Sequence, residues 1–224
     1  MNWFSSDHHF WHRNVITYEK RPYSLSDDGV LQMNEDMISK WNEVVKPDDV
    51  VYYLGDFSLS HRAAEVYTGR LNGYKILIQG NHDWGHPAHK KSRTVEGQNK
   101  WRANYLKWGW DEIHTELEIF IGPDDIRVRL HHMPYLDEND PNQNHKKFRL
   151  KDDGVPLICG HVHSRWANRL SKRATPQVNV GVDVRGFYPI NEDKVMELFK
   201  YLVSPEYNGP EVKNLNLTEE SSGD

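Results

Sequence analysis

Five short clusters in this chain gather the side chains that hold divalent ions: Asp7-His8-His9, Gly55-Asp56, Gly80-Asn81-His82-Asp83, His131-His132 and Gly160-His161-Val162-His163. Imidazole, carboxylate and amide oxygen suit Mn²⁺, Fe, Zn²⁺ or Ni²⁺, and they offer no soft thiolate for copper(I). The chain has 13 histidines but only one cysteine, Cys159, so any metal must be held by His, Asp, Glu or Asn. A single cysteine also excludes an intrachain disulfide framework and a thiolate zinc cluster. Taken singly, each cluster has an ordinary reading: a lone Gly-Asp is mostly a turn, and a lone His-x-His on a strand is mostly structural or exposed. What they share is where they fall.

Each cluster follows a short apolar run. Met1 to Ser6 reads as a strand that delivers Asp7 and His9 to a loop. Val50 to Leu54, rich in β-branched and aromatic residues, stops at Gly55-Asp56. Tyr74 to Gln79 ends at Gly80, Ile126 to Leu130 runs into His131-His132-Met133-Pro134, and Val155 to Cys159 ends at Gly160. Between them, Val30, Met33, Met37, Trp41 and Val44 recur at steps of three and four before Pro47, which predicts an amphipathic helix over Val30 to Val45. Further helices are expected over Ala63 to Leu71, near Trp101 to Lys107 and around Glu192 to Val203. A hairpin is expected at Gly122-Pro123-Asp124-Asp125, between strands Glu116 to Ile121 and Ile126 to Leu130. Val178 to Val184 completes the ordered part together with the last helix, and Trp84 to Lys100 reads as a long loop before the short helix. Strand-helix alternation followed by strand-rich sequence implies an α/β protein with a mixed sheet or two sheets. In such folds ligands gather beyond the carboxyl ends of strands, so the five clusters are free to converge.

Composition sets the limits. With 224 residues and 37% hydrophobic content, including 8 Trp, 11 Tyr and 7 Phe, the chain can bury a sizeable core, which excludes global disorder. No run approaches the roughly 18 apolar residues of a membrane span, and Asp7 and His8 fall where a signal peptide would carry its apolar stretch. A soluble, unexported, cytoplasmic protein is expected. The net charge of −5 argues against a protein that coats nucleic acid through broad phosphate neutralisation, while leaving room for a local phosphate site.

The ordered set Asp7-x-His9, Gly55-Asp56, Gly80-Asn81-His82-Asp83, His132 before Met133-Pro134, and Gly160-His161-x-His163 resembles the calcineurin-like metallophosphoesterase superfamily. The opening Asp7 to Ile16, with Arg21-Pro22 beyond it, is similar to a small single-domain subgroup found in bacteria and their phages. The resemblance implies a four-layer αββα sandwich, two mixed sheets packed face to face with helices outside, in one domain over residues 1–205. Residues 206–224 would form a tail that is partly disordered at its end.

It also implies one ion held by Asp7, His9, Asp56 and His163, and a second by Asp56, Asn81, His132 and His161, with Asp56 bridging and Mn²⁺ favoured. Two such ions can clamp a phosphoryl oxygen and acidify a water toward a pKa of about 7, so that solvent is the nucleophile. His82 would be the general acid at the leaving oxygen, and Asp83 would orient it through a hydrogen bond. Lacking a large specificity domain, the chain is expected to be a phosphodiesterase, and a nucleotide or nucleic acid is one candidate substrate beside cyclic nucleotides and phosphoproteins. A monoesterase on the same site and a partner-binding scaffold of the same fold are the alternatives.

Neighbouring residues get ordinary roles. His8 and His131 adjoin ligands but point to the other side of an extended chain. His12 and Asn14 are pocket-lining candidates, whereas His61, His86, His89, His114 and His145 read as surface or loop residues. Arg165, Arg169, Lys172 and Arg173 read as a solvated basic loop that could meet phosphates. Trp11, Trp84 and Trp166 lie near the motifs, with packing the ordinary role and base stacking the alternative.

Overall fold

Apolar residues in this chain fall in short continuous or alternating runs and, over longer stretches, at steps of three and four, and the elements follow that division. The computed structural model describes residues 1–137 and 145–209. In chain order the elements are β1 (Asn2–Ser5), α1 (Arg13–Tyr18), α2 (Asp27–Val44), β2 (Val50–Tyr53), α3 (His61–Thr68), β3 (Tyr74–Ile78), α4 (Val95–Lys107), β4 (Glu112–His114), β5 (Glu116–Ile121), β6 (Ile126–His131), β7 (Leu157–Cys159), β8 (Asn168–Leu170), β9 (Pro176–Asn179), β10 (Ile190–Asn191) and α5 (Glu192–Leu202).

Helix α2 shows why the boundaries fall where they do. Ser26 caps it by accepting from the Gly29 amide at 3.0 Å, and Asp27 and Asp28 sit in the first turn, where the helix dipole favours negative charge. Val30, Met33, Met37 and Trp41 are buried along one face, and Val45 turns extended ahead of Pro47. Asn191 caps α5 in the same way, accepting from the Lys194 amide at 2.9 Å.

Two mixed five-stranded sheets result, in the orders β10-β1-β2-β3-β4 and β5-β6-β7-β9-β8. In the first, β1 to β4 run parallel and β10 is antiparallel at the edge; in the second, β6, β7 and β9 run parallel between antiparallel β5 and β8. Alternation along the strands sorts three cores. Val51, Tyr53 and Leu77 face the helices, packing with Val30, Met33, Met37 and Trp41 of α2, Ala64 and Tyr67 of α3 and Tyr105 of α4. Phe4, Ile76 and Ile78 face Val128, Leu130, Ile158 and Val178 of the second sheet, and α5 closes this core with Val195, Leu198 and Phe199. On the far side of the second sheet, Leu157 and Cys159 pack against Tyr135, Val162 and Trp166.

That last core corrects the four-layer expectation. Among the described residues no helix covers the outer face of the second sheet, because α5 is drawn into the core between the sheets and loop residues take the outer place. Other differences are local. The Val178 to Val184 run breaks after Asn179 and resumes as a 3₁₀ turn at Val182–Val184. Helix α4 starts at Val95 rather than near Trp101, because Thr94 accepts from the Gly97 amide at 3.2 Å and caps it early. Of the expected tail, Tyr207 is packed, its ring 5.8 Å from that of Tyr201 and its hydroxyl accepting from the Leu170 amide at 3.4 Å. Residues 210–224 lie outside the described residues.

Cys159 has no access to solvent, and burial pushes its thiol up to about 12. The thiolate is the reactive form, so the native protein should stay unlabelled by an aromatic disulfide reagent at pH 8, while the denatured chain takes up one label. Equal labelling rates in the two states would contradict this packing.

Candidate metal centre

Parallel strands in register end side by side. Ser5 pairs with Tyr53, and Tyr53 with Leu77, so the residues following β1, β2 and β3 leave the first sheet at one edge. These are Asp7 to His9, Asp56, and Asn81 to Asp83. The second sheet does the same with His132 after β6 and with His161 and His163 after β7. The two edges are joined where the Val182 amide donates to the Ser6 carbonyl at 3.1 Å, and within the second sheet's edge the Gly160 amide donates to the His132 carbonyl at 2.9 Å.

The turns are tight. Asp7, His9, Asp56, His161 and His163 all adopt left-handed backbone, with φ of 60°, 50°, 57°, 69° and 48°. A non-glycine residue held there costs about 1 kcal/mol or more, and such strain concentrates at functional sites. The glycines before the motifs permit close approach. A Cβ on Gly80 would sit 2.3 Å from Asp56 Oδ1, and one on Gly160 would sit 2.4 Å from Asp7 Oδ2.

Two sets of ligand atoms emerge. Asp7, His9 and His163 bring theirs within 4.8 Å of one another, and so do Asp56, His132 and His161. Asp56 joins the sets: its Oδ2 lies 3.3 Å from His132 Nε2 and 3.8 Å from His9 Nε2. Asp7 Oδ1 lies 3.9 Å from His163 Nε2 and 4.0 Å from His9 Nε2. Asp7 Oδ1, both ring nitrogens of His9, Asn81 Oδ1 and His132 Nε2 are buried without any hydrogen-bond partner in the protein. Polar atoms stripped of water and left unpaired cost stability unless another group satisfies them. Every one of these atoms can present a lone pair, and the donor set is nitrogen and oxygen only, so the residues fit divalent cations. Burial works against the charge on Asp56, yet the facing imidazoles of His132 and His82 outweigh it and hold its carboxyl well below the usual range.

A surrounding shell fixes these side chains. His132 donates from Nδ1 to the Leu54 carbonyl at 2.6 Å, which turns Nε2 inward. His163 Nδ1 meets Asp183 Oδ2 at 2.8 Å, which leaves Nε2 facing Asp7. Ser6 Oγ and the His161 amide both donate to Asp7 Oδ2, at 2.6 and 2.9 Å. Arg21 is almost wholly buried; its guanidinium donates to Asp183 at 2.7 and 3.0 Å and to the carbonyls of Asp7 and His8, each at 2.8 Å. Asn179 holds the other side, donating to the His163 and Trp166 carbonyls. The sequence marks Arg21 only through the Arg21-Pro22 pair of the subgroup resemblance and gives no sign of Asp183 or Asn179, each of which stands alone in an unremarkable context.

Asp83 departs from its expected partner. Rather than orienting His82, its buried carboxylate accepts from the amides of Asp56 at 2.9 Å, Gly80 at 2.7 Å and Phe57 at 3.1 Å. It ties the loops after β2 and β3 together. His82 is anchored through its backbone instead, donating to Asp56 Oδ1 at 2.8 Å, while its half-exposed ring places Nε2 4.0 Å from Asp56 Oδ2.

Of the neighbouring histidines, His8 packs among Phe10, Trp41 and Tyr53, and His131 turns back onto the Met133 amide. The His12 ring lies 5.6 Å from that of His9, whereas Asn14 is exposed on α1. Contrary to expectation, His86 is buried, against Phe148, and burial pushes it down to about 3. Trp84 packs on Trp101, Trp166 is buried beneath Arg169, and Trp11 is largely exposed. The basic loop is partly neutralised: Lys172 pairs with Asp137 at 2.8 Å, and Arg173 donates to the Asp152 carbonyl.

No family model matches the chain. It is 44% identical over 202 residues to the uncharacterized protein MJ1445 of Methanocaldococcus jannaschii, covering 87% of this chain and 89% of that one. It is 30% identical over 203 residues to the gene 66 protein of Mycobacterium phage D29, covering 87% of this chain and 94% of that one. Among solved structures, it is similar in fold to AQ665, a protein of unknown function from Aquifex aeolicus. The TM-score is 0.57 at 23% identity, over 88% of this chain and 98% of the other.

Proposed function

We propose that this chain, which belongs to the family of the phage D29 gene 66 protein and MJ1445, is a two-metal phosphodiesterase. The observation that carries the proposal is the pair of His/Asp sets meeting at Asp56 Oδ2, with the half-exposed ring of His82 beside them. Asp7, His9, Asp56 and His163 would hold one divalent ion, Mn²⁺ by preference, and Asp56, Asn81, His132 and His161 the other. When bound, such a pair neutralises phosphoryl charge and acidifies water near neutral pH.

The protein's own groups supply the rest. Asp183 and the Leu54 carbonyl fix the ring orientations of His163 and His132, so ordering these rings costs nothing at the moment of reaction. His82 is tethered to Asp56 through its amide and free at its ring, in position to hand a proton to the departing oxygen. Asp83 contributes by locking the two loops that carry Asp56 and His82. In this reading residues 1–205 form one catalytic unit, a calcineurin-like sandwich with its α2 to α4 layer on one side, working in the cytoplasm.

The test is hydrolysis of bis(p-nitrophenyl) phosphate by chelator-stripped protein with Mn²⁺ restored. Activity should require the metal. His82→Ala should lower turnover by about 10²- to 10⁴-fold while leaving metal content intact. Undiminished turnover would remove His82 from the mechanism, and silence with Mn²⁺, Ni²⁺ and Zn²⁺ would remove the phosphodiesterase.

A further inference from the structure

Beside the metal centre the surface opens into a groove of about 720 Å³ lined by Ala88, Arg93, His145, Lys146, Lys147 and Phe148. It starts at the site, since the ring of His145 stands 6.3 Å from that of His161. Its wall is tied to the site as well, because Phe148 packs edge-on against buried His86 at 5.3 Å, and His86 is hydrogen-bonded through its amide to the Asp83 carbonyl.

Several cations elsewhere on the surface are neutralised by carboxylates. Arg70 is paired with Glu35, Arg127 and Arg129 with Glu118, and Lys172 with Asp137. Among the described residues no carboxylate pairs with Arg93, Lys146 or Lys147, and none lines the groove. Lys147 lies over the Phe148 ring at 4.8 Å, so the groove combines three unneutralised cations with a half-buried aromatic surface. In a chain of net charge −5, such a concentration is local and one-sided.

We propose that the groove is a strand-binding site for single-stranded nucleic acid. Arg93, Lys146 and Lys147 would neutralise phosphates flanking the one at the metal centre, and Phe148 would lie against a base. The inference rests on the phosphodiesterase reading and names its substrate class. An open channel bordered by cations suits a chain of phosphates better than a compact ester, which would be gripped at the metals alone.

Binding tests it without turnover: fluorescence anisotropy of a labelled phosphorothioate oligothymidylate with the Mn²⁺-loaded full chain, followed against salt. Three phosphate contacts to a single strand contribute about 2 to the slope of log K against log salt. The triple variant R93A/K146A/K147A should lose that contribution, so the drop in affinity between 50 and 200 mM salt becomes on the order of 20-fold shallower. Removing three charges elsewhere, as R127A/K194A/K200A, should leave the slope unchanged. Equal slopes in wild type and the groove variant would overturn the proposal, and so would equal losses in both variants. Bis(p-nitrophenyl) phosphate, too short to reach the groove, reports on the metal centre alone. If wild type hydrolyses it but cleaves unmodified oligothymidylate no better, the strand-binding role fails while the phosphodiesterase stands. If it is not hydrolysed and the slope difference persists, the reaction fails and the nucleic-acid site stands.

Discussion

Asp56→Asn is expected to empty both proposed ion positions at once and to lower kcat/KM by about 10²- to 10³-fold, a loss comparable to that of a principal charge-stabilising group. The substitution conserves shape, which is why it isolates charge. The Asn side-chain oxygen can still accept from the His82 amide, now served by Asp56 Oδ1 at 2.8 Å, so the loop after β3 keeps its anchor. The amide NH₂ would then occupy the place of Oδ2, between His132 Nε2 at 3.3 Å and His9 Nε2 at 3.8 Å, turning a shared acceptor into a donor. In the set of Asp56, His132 and His161, joined in the proposal by Asn81, no other group carries negative charge. The set of Asp7, His9 and His163 would keep Asp7 and lose its link. Metal analysis of the purified variant checks this, with a thermal melt to show that the fold persists. Two ions still tightly bound to Asp56→Asn would dismiss Asp56 as a bridge, whereas an Asn81→Ala variant is expected to weaken one ion only.

How much of this was legible in the sequence depends on whether the cause is local. The residues after β1, β2, β3, β6 and β7 could be placed because an apolar run that halts at a polar cluster marks both a strand end and what lies beyond it. Helix α2 could be placed because its burial repeats at helical steps. Short elements resisted. Strand β4 (Glu112–His114) has a single buried residue, Ile113, and exists because β3 offers it a parallel edge; β10 is likewise created by β1, distant in sequence, while β8 is a three-residue arm of a hairpin with β9. The supporting shell was hidden for the same reason. Nothing near Asp183 says that it will meet His163, 20 residues earlier, and Arg21, 162 residues earlier. Asp83 shows the limit from the other side: its motif suggests a partner in His82, but three amides from adjoining loops outcompete it inside a buried site.

The largest effect on stability is expected at Arg21. Its guanidinium and the Asp183 carboxylate form an ion pair at 2.7 Å with side chains 1% and 2% exposed, and the same guanidinium satisfies the carbonyls of Asp7 and His8. Arg21→Met retains the packing against Met33 and Met37 but leaves Asp183 charged, buried and supported by His163 alone. Breaking a buried pair from one side costs about 3–5 kcal/mol, which for a chain of this size lowers Tm by roughly 10 °C. The loss should not be confined to stability. The clamp holds Asp7 and His8 in the turn whose left-handed φ of 60° at Asp7 is unfavourable by itself, so releasing it lets Asp7 relax. Asp183→Asn keeps the shape and removes the charge that orients His163, so it should cost about 10- to 100-fold in metal affinity, and because it too leaves a buried charge unpaired its Tm should fall by a similar amount. Titration calorimetry with Mn²⁺ beside thermal unfolding of both variants measures affinity and stability independently. An Arg21→Met protein that melts within a degree or two of wild type would show that the pair contributes nothing to the fold, and unchanged Mn²⁺ affinity in Asp183→Asn would show that His163 needs no carboxylate to face the site.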